Sequence, residues 1–453
     1  MRTGDLSAGP RLAALIWWYE FYFDAIQSGR YIFKIQELHQ QYGPIIRVTP
    51  DEIHINDVGY LDTVYAPSMA RRDKYSYQLK SLRVPGGVGT TADHHLHKIR
   101  RETLAPFFSK RNVLSLEGLI SAKVEQLCQL VRKHAVDKTV MNLSDAFFAF
   151  SNDVVVNFLF THQVNVLADE EQAATLQRNS KELLMGINLN KQFPWVPDFL
   201  EALPLAISKP LMPPGLIDML ALFDRVRAEL VSIINAKVSG TNQTCLSPTA
   251  KESVYSSVID NPVLPESERT LLRLEQEGAL LALAGTESPA QSLSIILYHV
   301  LANPFILERL RTELSTVPEC ATWTHLEQLP YLSAIIEEGN RLSFGKTYTI
   351  PPMTPISITT LSAHTAESVF PDAYIFHPDR WLGENGRQRR KFQLAFSKGG
   401  RKWLGIELAR AELYLVTAAL VRTFDLTLRE TDADDVAFLH DYQVAMPRMG
   451  SRG

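Results

Sequence analysis

Apolar residues recur at three- and four-residue spacing over most of this chain, the pattern of helices that bury one face. The clearest stretches are 115–135, 143–160, 216–238, 269–302 and 405–423. Strand-like alternation is confined to a short region. Ile46 and Val48 alternate with Arg47 and Thr49, Pro50-Asp51 turns the chain, and Ile53 and Ile55 alternate with His54 and Asn56. This predicts a hairpin over 45–56. The sequence PISITT predicts a further short strand at 355–360. Breaks fall at Gly86-Gly87, Pro210 to Pro214, Ser239 to Pro248 and Pro351-Pro352. The expected fold class is therefore mainly α with a small β region. No linker, repeat or low-complexity tract divides the chain, so residues 1–453 read as a single domain.

Composition narrows the picture without changing it. The 453 residues are 45% hydrophobic and 21% charged, with a formal net charge of -4. That is ordinary for a protein with a large core, and it argues against nucleic acid as a partner. Three cysteines fit a reducing compartment better than a disulfide framework. The most apolar early stretch, Leu12 to Phe23, contains Glu20 and falls short of the ~20 residues of a spanning helix. No basic leader and cleavage site frame it. The chain is thus expected to lack a transmembrane segment, and the aromatic run is expected to pack in the core, with contact to a bilayer surface as the alternative.

The segment 269–302 reads as one helix, roughly 50 Å long at ~1.5 Å per residue. It holds Ala284-Gly285-Thr286-Glu287-Ser288, followed by Pro289. A proline ring clashes with the carbonyl four residues back, which predicts a kink there. Glu338-Gly-Asn-Arg341 places two opposite charges on one helix face. Phe376-His-Pro378-Asp-Arg380-Trp and Phe396-Ser-Lys-Gly-Gly-Arg401-Lys-Trp403-Leu-Gly405 follow in that order. Earlier in the chain, His97 and Arg101 lie one helical turn apart.

Taken together, and in this order, these segments resemble the cytochrome P450 family. The resemblance runs from Gly9-Pro10 to the terminal region. The wording of RRETLAPFFSKRNV, PPMTPISITTLSAH and FSKGGRKWLGIELARAELYL is similar to the filamentous-fungal branch of secondary metabolism, the trichodiene-oxygenase-like enzymes. It implies a cytochrome P450-like fold and a haem cofactor. It further implies a haem monooxygenase acting on an apolar small-molecule substrate such as a terpenoid or polyketide. Glu338, Arg341 and Arg380 would form a charged triad holding the haem loop. His97, Arg101 and Arg401 would meet the haem propionates. Glu287 and Ser288 would deliver protons to bound oxygen, Ser288 standing where the family has threonine. The basic run Arg387, Arg389, Arg390, Lys391, Lys398, Arg401 and Lys402 would dock NADPH-cytochrome P450 reductase; a solvated charge run is the alternative. The location implied is the cytosolic face of the endoplasmic reticulum membrane, or the cytoplasm for a chain without an anchor.

The chain departs from the family's pattern at its most important position. The loop pattern is Phe-x-x-Gly-x-Arg-x-Cys-x-Gly, and Trp403 stands at the cysteine. A thiolate ligand pushes electron density onto iron and favours O–O cleavage. Indole offers an N–H donor and no lone pair for a metal. Cys128, Cys245 and Cys320 all lie far from the loop in sequence. The interval between Arg341 and Arg380, 38 residues, is also shorter than the family usually carries. Three functions therefore compete. One is the monooxygenase. Another is a catalytically inactive, haem-free relative, acting as a binding or scaffold protein or the product of a degenerate gene. The third is a redox-neutral enzyme using the apolar pocket.

Overall fold

The computed structural model describes residues 8–238, 254–342 and 355–451. The breaks expected at Ser239 to Pro248 and at Pro351-Pro352, Cys245, and residues 343–354 of the short interval after Arg341 lie outside the described residues.

The small sheet forms where alternation predicts it. β1 (Ile45–Arg47) and β2 (Ile53–Ile55) pair antiparallel, with Ile45 opposite Ile55. β3 (Ile356–Ser357) joins β2 in parallel, Ile53 facing Ile356. The sheet is tied to α1 (Tyr31–Tyr42) by two buried histidines. Thr359 donates its N–H to His54 Nε2 at 3.1 Å, which puts the His54 proton on Nδ1. That proton points to His39 Nε2 at 2.6 Å, and His39 Nδ1 then donates to the Gly43 carbonyl at 2.8 Å. One neutral arrangement satisfies the whole chain of donors, and burial holds His39 below its ordinary pKa.

Around the sheet the structure is helical. Those helices that build the site are α2 (His94–Leu104), α3 (Glu117–Asp137), α4 (Leu143–Leu159), α5 (Glu170–Gln192) and α6 (Pro214–Val238). They are followed by α7 (Leu271–Ala302), α8 (Pro304–Leu314), α9 (Pro330–Leu342) and α10 (Ile406–Thr423). Side-chain caps fix several starts: Asp93 for α2, Asn142 for α4, Asp169 for α5 and Thr270 for α7 each accept an otherwise orphan backbone N–H. The stretch expected at 115–135 is α3, preceded by a separate short helix, Lys110–Ser115.

α7 is the axis of the core. It packs against α4, α6, α9 and α10, and its Leu293, Ile296 and Leu297 join Phe147, Phe150, Leu413 and Val416 in one buried cluster. Close approach requires glycine at two crossings. A Cβ at Gly285 would lie 2.6 Å from Val155 on α4, and one at Gly339 on α9 would lie 2.3 Å from Ile296. Pro289 is buried inside α7, and the helix continues through it to Ala302. The sharp bend, 106°, comes between α7 and α8, where Asn303 caps the second helix.

The early aromatic run differs from its expected place. Trp17 packs on Tyr77 and Phe21 meets Phe193 edge-on, but Leu15 and Trp18 are 74% and 58% exposed. The reason is local: Glu20 and Asp24 turn inward instead, pairing with buried Lys191 at 2.9 and 2.8 Å. A helix that buries its acids must show part of its apolar face to solvent. No single helix among the described residues is long and apolar enough to cross a membrane.

Candidate functional site

Glu338 and Arg341 sit on α9, one turn apart and fully buried. Arg341 bonds both carboxylate oxygens of Glu338, at 2.8 and 3.1 Å. Arg380 lies 3.2 Å from the same carboxylate, and Trp381 Nε1 donates to it at 2.6 Å. The remaining guanidinium hydrogens reach carbonyls: Arg341 to His364, Arg380 to Pro371, Asp372 and Ile375. His364 carries the connection onward. Its Nδ1 donates to the Arg341 carbonyl, and its Nε2 accepts the Leu394 N–H at 2.8 Å. Burial and the nearby Arg341 push His364 down to about 3, so it stays neutral in this role. The triad is thereby wired to the segment that enters the 396–405 loop.

The loop itself is closed by main-chain bonds. The Trp403 N–H donates to the Phe396 carbonyl at 2.9 Å, and the Gly400 N–H to the Ala66 carbonyl at 3.2 Å. Gly399 has φ +67°, and a Cβ there would sit 2.2 Å from the Ala66 oxygen, so only glycine fits. The Trp403 indole is half-buried and lies nearly parallel to the Phe396 ring, with centroids 6.1 Å apart. No thiol joins it among the described residues: Cys128 is buried on α3 and Cys320 is exposed beyond α8.

Four basic groups converge beside this loop. Arg401 is buried and spends its Nη hydrogens on the carbonyls of Thr91, Ala92 and Arg72, while its Nε finds no partner among the described residues. Arg101 donates to the Lys402 carbonyl at 2.6 Å, clasping α2 to the loop. His97 is buried, and burial together with Arg401, Lys74 and Arg101 holds it far below its ordinary pKa. Lys74 bonds the Gly89 carbonyl; burial and Arg401 push it down to about 8. Burial also lowers Arg401, to about 10. None of the four forms an ion pair among the described residues. Lys74 was missed by sequence reasoning, and no spacing rule would have found it, since only the fold brings 74 beside 97 and 401.

Glu287 of α7 meets α5. Glu287 Oε1 accepts a short hydrogen bond from the Ser180 hydroxyl of α5. Its carboxyl is surrounded by protein, and burial raises its pKa despite Ser180 and Lys181, which act the other way. The residue nevertheless keeps some accessible surface. Ser288 makes no side-chain hydrogen bond among the described residues, and Thr286 bonds back to the Ala282 carbonyl.

The basic run at 387–402 lies mostly at the surface: Arg387, Arg390, Lys391 and Lys402 are exposed, Arg389 and Lys398 are half-buried, and only Arg401 is buried. Arg401 is buried, Arg389 bonds the Val369 and Arg380 carbonyls, Arg390 the Trp381 carbonyl, and Lys398 pairs with Asp62. Arg387 pairs with Glu384 at the surface. Lys391 and Lys402 are exposed and form no ion pair among the described residues.

A helical body crossed by one long core helix, with a buried Glu–Arg–Arg group wired to a glycine-containing loop, is the scaffold of the haem-thiolate oxygenases. The chain belongs to the cytochrome P450 family, whose sequence model matches residues 10–449. It is similar to "Cytochrome P450 monooxygenase TRI4" of Trichoderma arundinaceum, 32% identical over 97% of this chain and 88% of the relative. It is also similar to "Conidiogenone synthase PchP450" of Penicillium rubens, 34% identical over 97% of this chain and 91% of the relative. A solved structure, "Crystal structure of a Cytochrome P450 (CYP102L1)", shares the fold with a TM-score of 0.71 at 17% identity, covering 94% of each chain.

The family implies haem, and the residues present fit it at one end only. Lys74, His97, Arg101 and Arg401, with an orphan Arg401 N–H, suit a doubly anionic group. At the iron end, the ligand position offers an indole N–H, which is a donor without a metal-binding lone pair. The donor set does not fit a thiolate-bound iron.

Proposed function

We propose that this protein keeps the scaffold and small-molecule pocket of a fungal secondary-metabolite cytochrome P450, as one domain over 1–453, while thiolate-dependent monooxygenation is lost. It acts as a binding protein for an apolar terpenoid or polyketide, or on it by redox-neutral chemistry. One feature supports this reading: Trp403 stands where the family's loop pattern has cysteine, in a loop closed by main-chain bonds. The relatives' names, a monooxygenase and a conidiogenone synthase among them, support the pathway class. Without an iron to reduce, the remaining exposed lysines near the loop have no reductase to serve. The cytosolic face of the endoplasmic reticulum membrane is the location the family implies, and exposed Leu15 and Trp18 would suit an apolar boundary there.

The test is to express the chain with haem supplied and record the absorbance of the reduced protein under carbon monoxide. Little haem and no thiolate-type Soret band are expected. Such a band in the unaltered chain would overturn the reading. Trp403→Cys is the companion, expected to recover the band because the triad and the loop are already in place.

A further inference from the structure

A short helix, Thr360–His364, runs from β3 to the Glu338–Arg341 group, and a buried histidine holds it at each end. At its start, the Thr359 hydroxyl accepts the Ser362 N–H, and the Thr359 N–H goes to His54 Nε2 at 3.1 Å. At its end, His364 donates from Nδ1 to the Arg341 carbonyl at 2.9 Å and accepts the Leu394 N–H on Nε2 at 2.8 Å. Arg341 returns a bond to the His364 carbonyl, and Gln36 of α1 donates to the Thr365 hydroxyl at 3.0 Å. Residues 359–365 thus strap the small sheet and α1 to α9 and to the stretch that enters the 396–405 loop.

Both anchors need a histidine nitrogen that carries no hydrogen. In the His39–His54 pair two ring protons fit, one from His54 Nδ1 to His39 Nε2 and one from His39 Nδ1 to the Gly43 carbonyl. A third proton sets donor against donor. On His54 Nε2 it faces the Thr359 N–H; on His39 Nε2 it faces the His54 proton. If His54 shifts its own proton to escape the second clash, it recreates the first. At His364 an added proton falls on Nε2, against the Leu394 N–H.

The charged groups on the neighbouring elements are already engaged. Lys34 and Glu37 of α1 pair with each other, Arg47 of β1 bonds the Pro50 carbonyl, and Glu52 beside β2 accepts from Gln78. On α9, Glu337 accepts from Gln393, and Glu338 meets Arg341 and Arg380. Arg341 itself opposes a proton on His364. The strap helix has no other titratable side chain. Burial holds His39 below its ordinary value of 6.5, and burial with Arg341 holds His364 at about 3.

We propose that residues 359–365 are an acid-sensitive strap, pinned by neutral His54 at one end and neutral His364 at the other, whose release in mild acid loosens the entry to the 396–405 loop. The closed strap refuses protons that the open strap takes up. Its stability is therefore fully present above the ordinary histidine value of 6.5 and is lost as pH falls below it. Opening becomes easier by roughly tenfold per pH unit for each proton taken up.

The test is hydrogen exchange of the full chain, followed by mass spectrometry from about pH 7.5 to about pH 5 and corrected for the intrinsic pH dependence of exchange. Amides of 359–365 and of Leu394 should lose at least about tenfold in protection, while Phe147 and Leu413 in the core stay within about twofold. A chain carrying both His54→Gln and His364→Gln offers each amide an oxygen acceptor that takes up no proton in this range. Its strap should stay protected throughout. Unchanged protection of the parent strap in acid overturns the proposal. So does equal loss across the core, or an acid response in the double variant equal to the parent's. A second measurement needs only the parent chain: nitrogen-15 NMR with labelled histidine should show His39, His54 and His364 all protonated on Nδ1 near neutral pH. A proton on Nε2 of His54 or His364 there removes the anchor and the proposal with it.

Discussion

Two charged clusters lie on either side of the 396–405 loop, and they are built on opposite terms. In the Glu338 cluster every guanidinium is buried and every charge is answered: Arg341 and Arg380 meet one carboxylate, and Trp381, His364 and backbone carbonyls take the remaining bonds. In the Lys74 cluster four basic groups crowd together with no acid paired to any of them among the described residues. Burial lowers all four, Arg401 adds to the depression of Lys74, and the other three add to that of His97. Buried charge is costly unless it is paired. The first cluster therefore holds the fold, while in the second only the through-space fields of Asp73 and Asp93 on Arg401 offset the crowded positive charge among the described residues.

The sharpest way to break this contrast is Glu338→Ala. It leaves two buried arginines without their counter-charge, and a loss of ~3–5 kcal/mol is expected in chemical denaturation. A loss below ~1 kcal/mol would mean the triad is not the structural element described. Next comes Trp381→Phe, which removes only the indole donor to Glu338; about 1–3 kcal/mol is expected from an acceptor left short of a partner. Against these, Lys74→Met should be neutral or stabilising by up to ~1 kcal/mol at pH 7, since it deletes a crowded cation while keeping the aliphatic stem. The same variant should weaken binding of iron-free protoporphyrin, a dicarboxylate, measured by fluorescence quenching; unchanged binding would place the anion elsewhere.

The smallest effect is one of pH. The folded Lys74 sits at about 8, below its ordinary value. Between those two values the unfolded chain holds a proton that the folded chain has released. Stability should therefore rise as pH increases from about 8 towards the ordinary lysine value, where the whole penalty is relieved. Parallel denaturation curves of the parent and Lys74→Met across that window should converge as pH rises. Curves that stay parallel would show that Lys74 is not strained in the folded state.

The Glu338–Arg341 pair was legible from three-residue spacing on one helix face, whereas its burial and the joining of Arg380 were expected only from the resemblance to the family. Glu338 and Arg341 stand three apart on a helix, and Pro378 with Arg380 supplies a rigid turn nearby. What could not be read were the partners supplied by distant segments: the Trp381 indole, the neutral His364, Lys74 beside Arg401, and Ser180 across from Glu287. Spacing rules describe neighbours along one element, and these pairs are joined only by packing. The run at 387–402 was plain in sign from the sequence, and its bonds to carbonyls and Asp62 add a positional detail that a count of lysines and arginines does not record. The long helix was read well because periodicity alone decides it, the strand expected over 355–360 forms only at Ile356–Ser357 before a helix begins at Thr360, and the aromatic run near the N-terminus is exposed because buried Lys191 decides which face turns inward.

The hydrogen bond that closes the loop at position 403 belongs to the peptide N–H and not to the side chain. Gly399 against Ala66, and Arg401 against the carbonyls of 72, 91 and 92, are equally blind to what residue 403 carries. Selection for a stable fold therefore has little purchase on this position. A change to cysteine at 403 would leave these main-chain contacts in place and remove only the indole's contact with Phe396. Folding and oxidation are, at this residue, separately heritable traits.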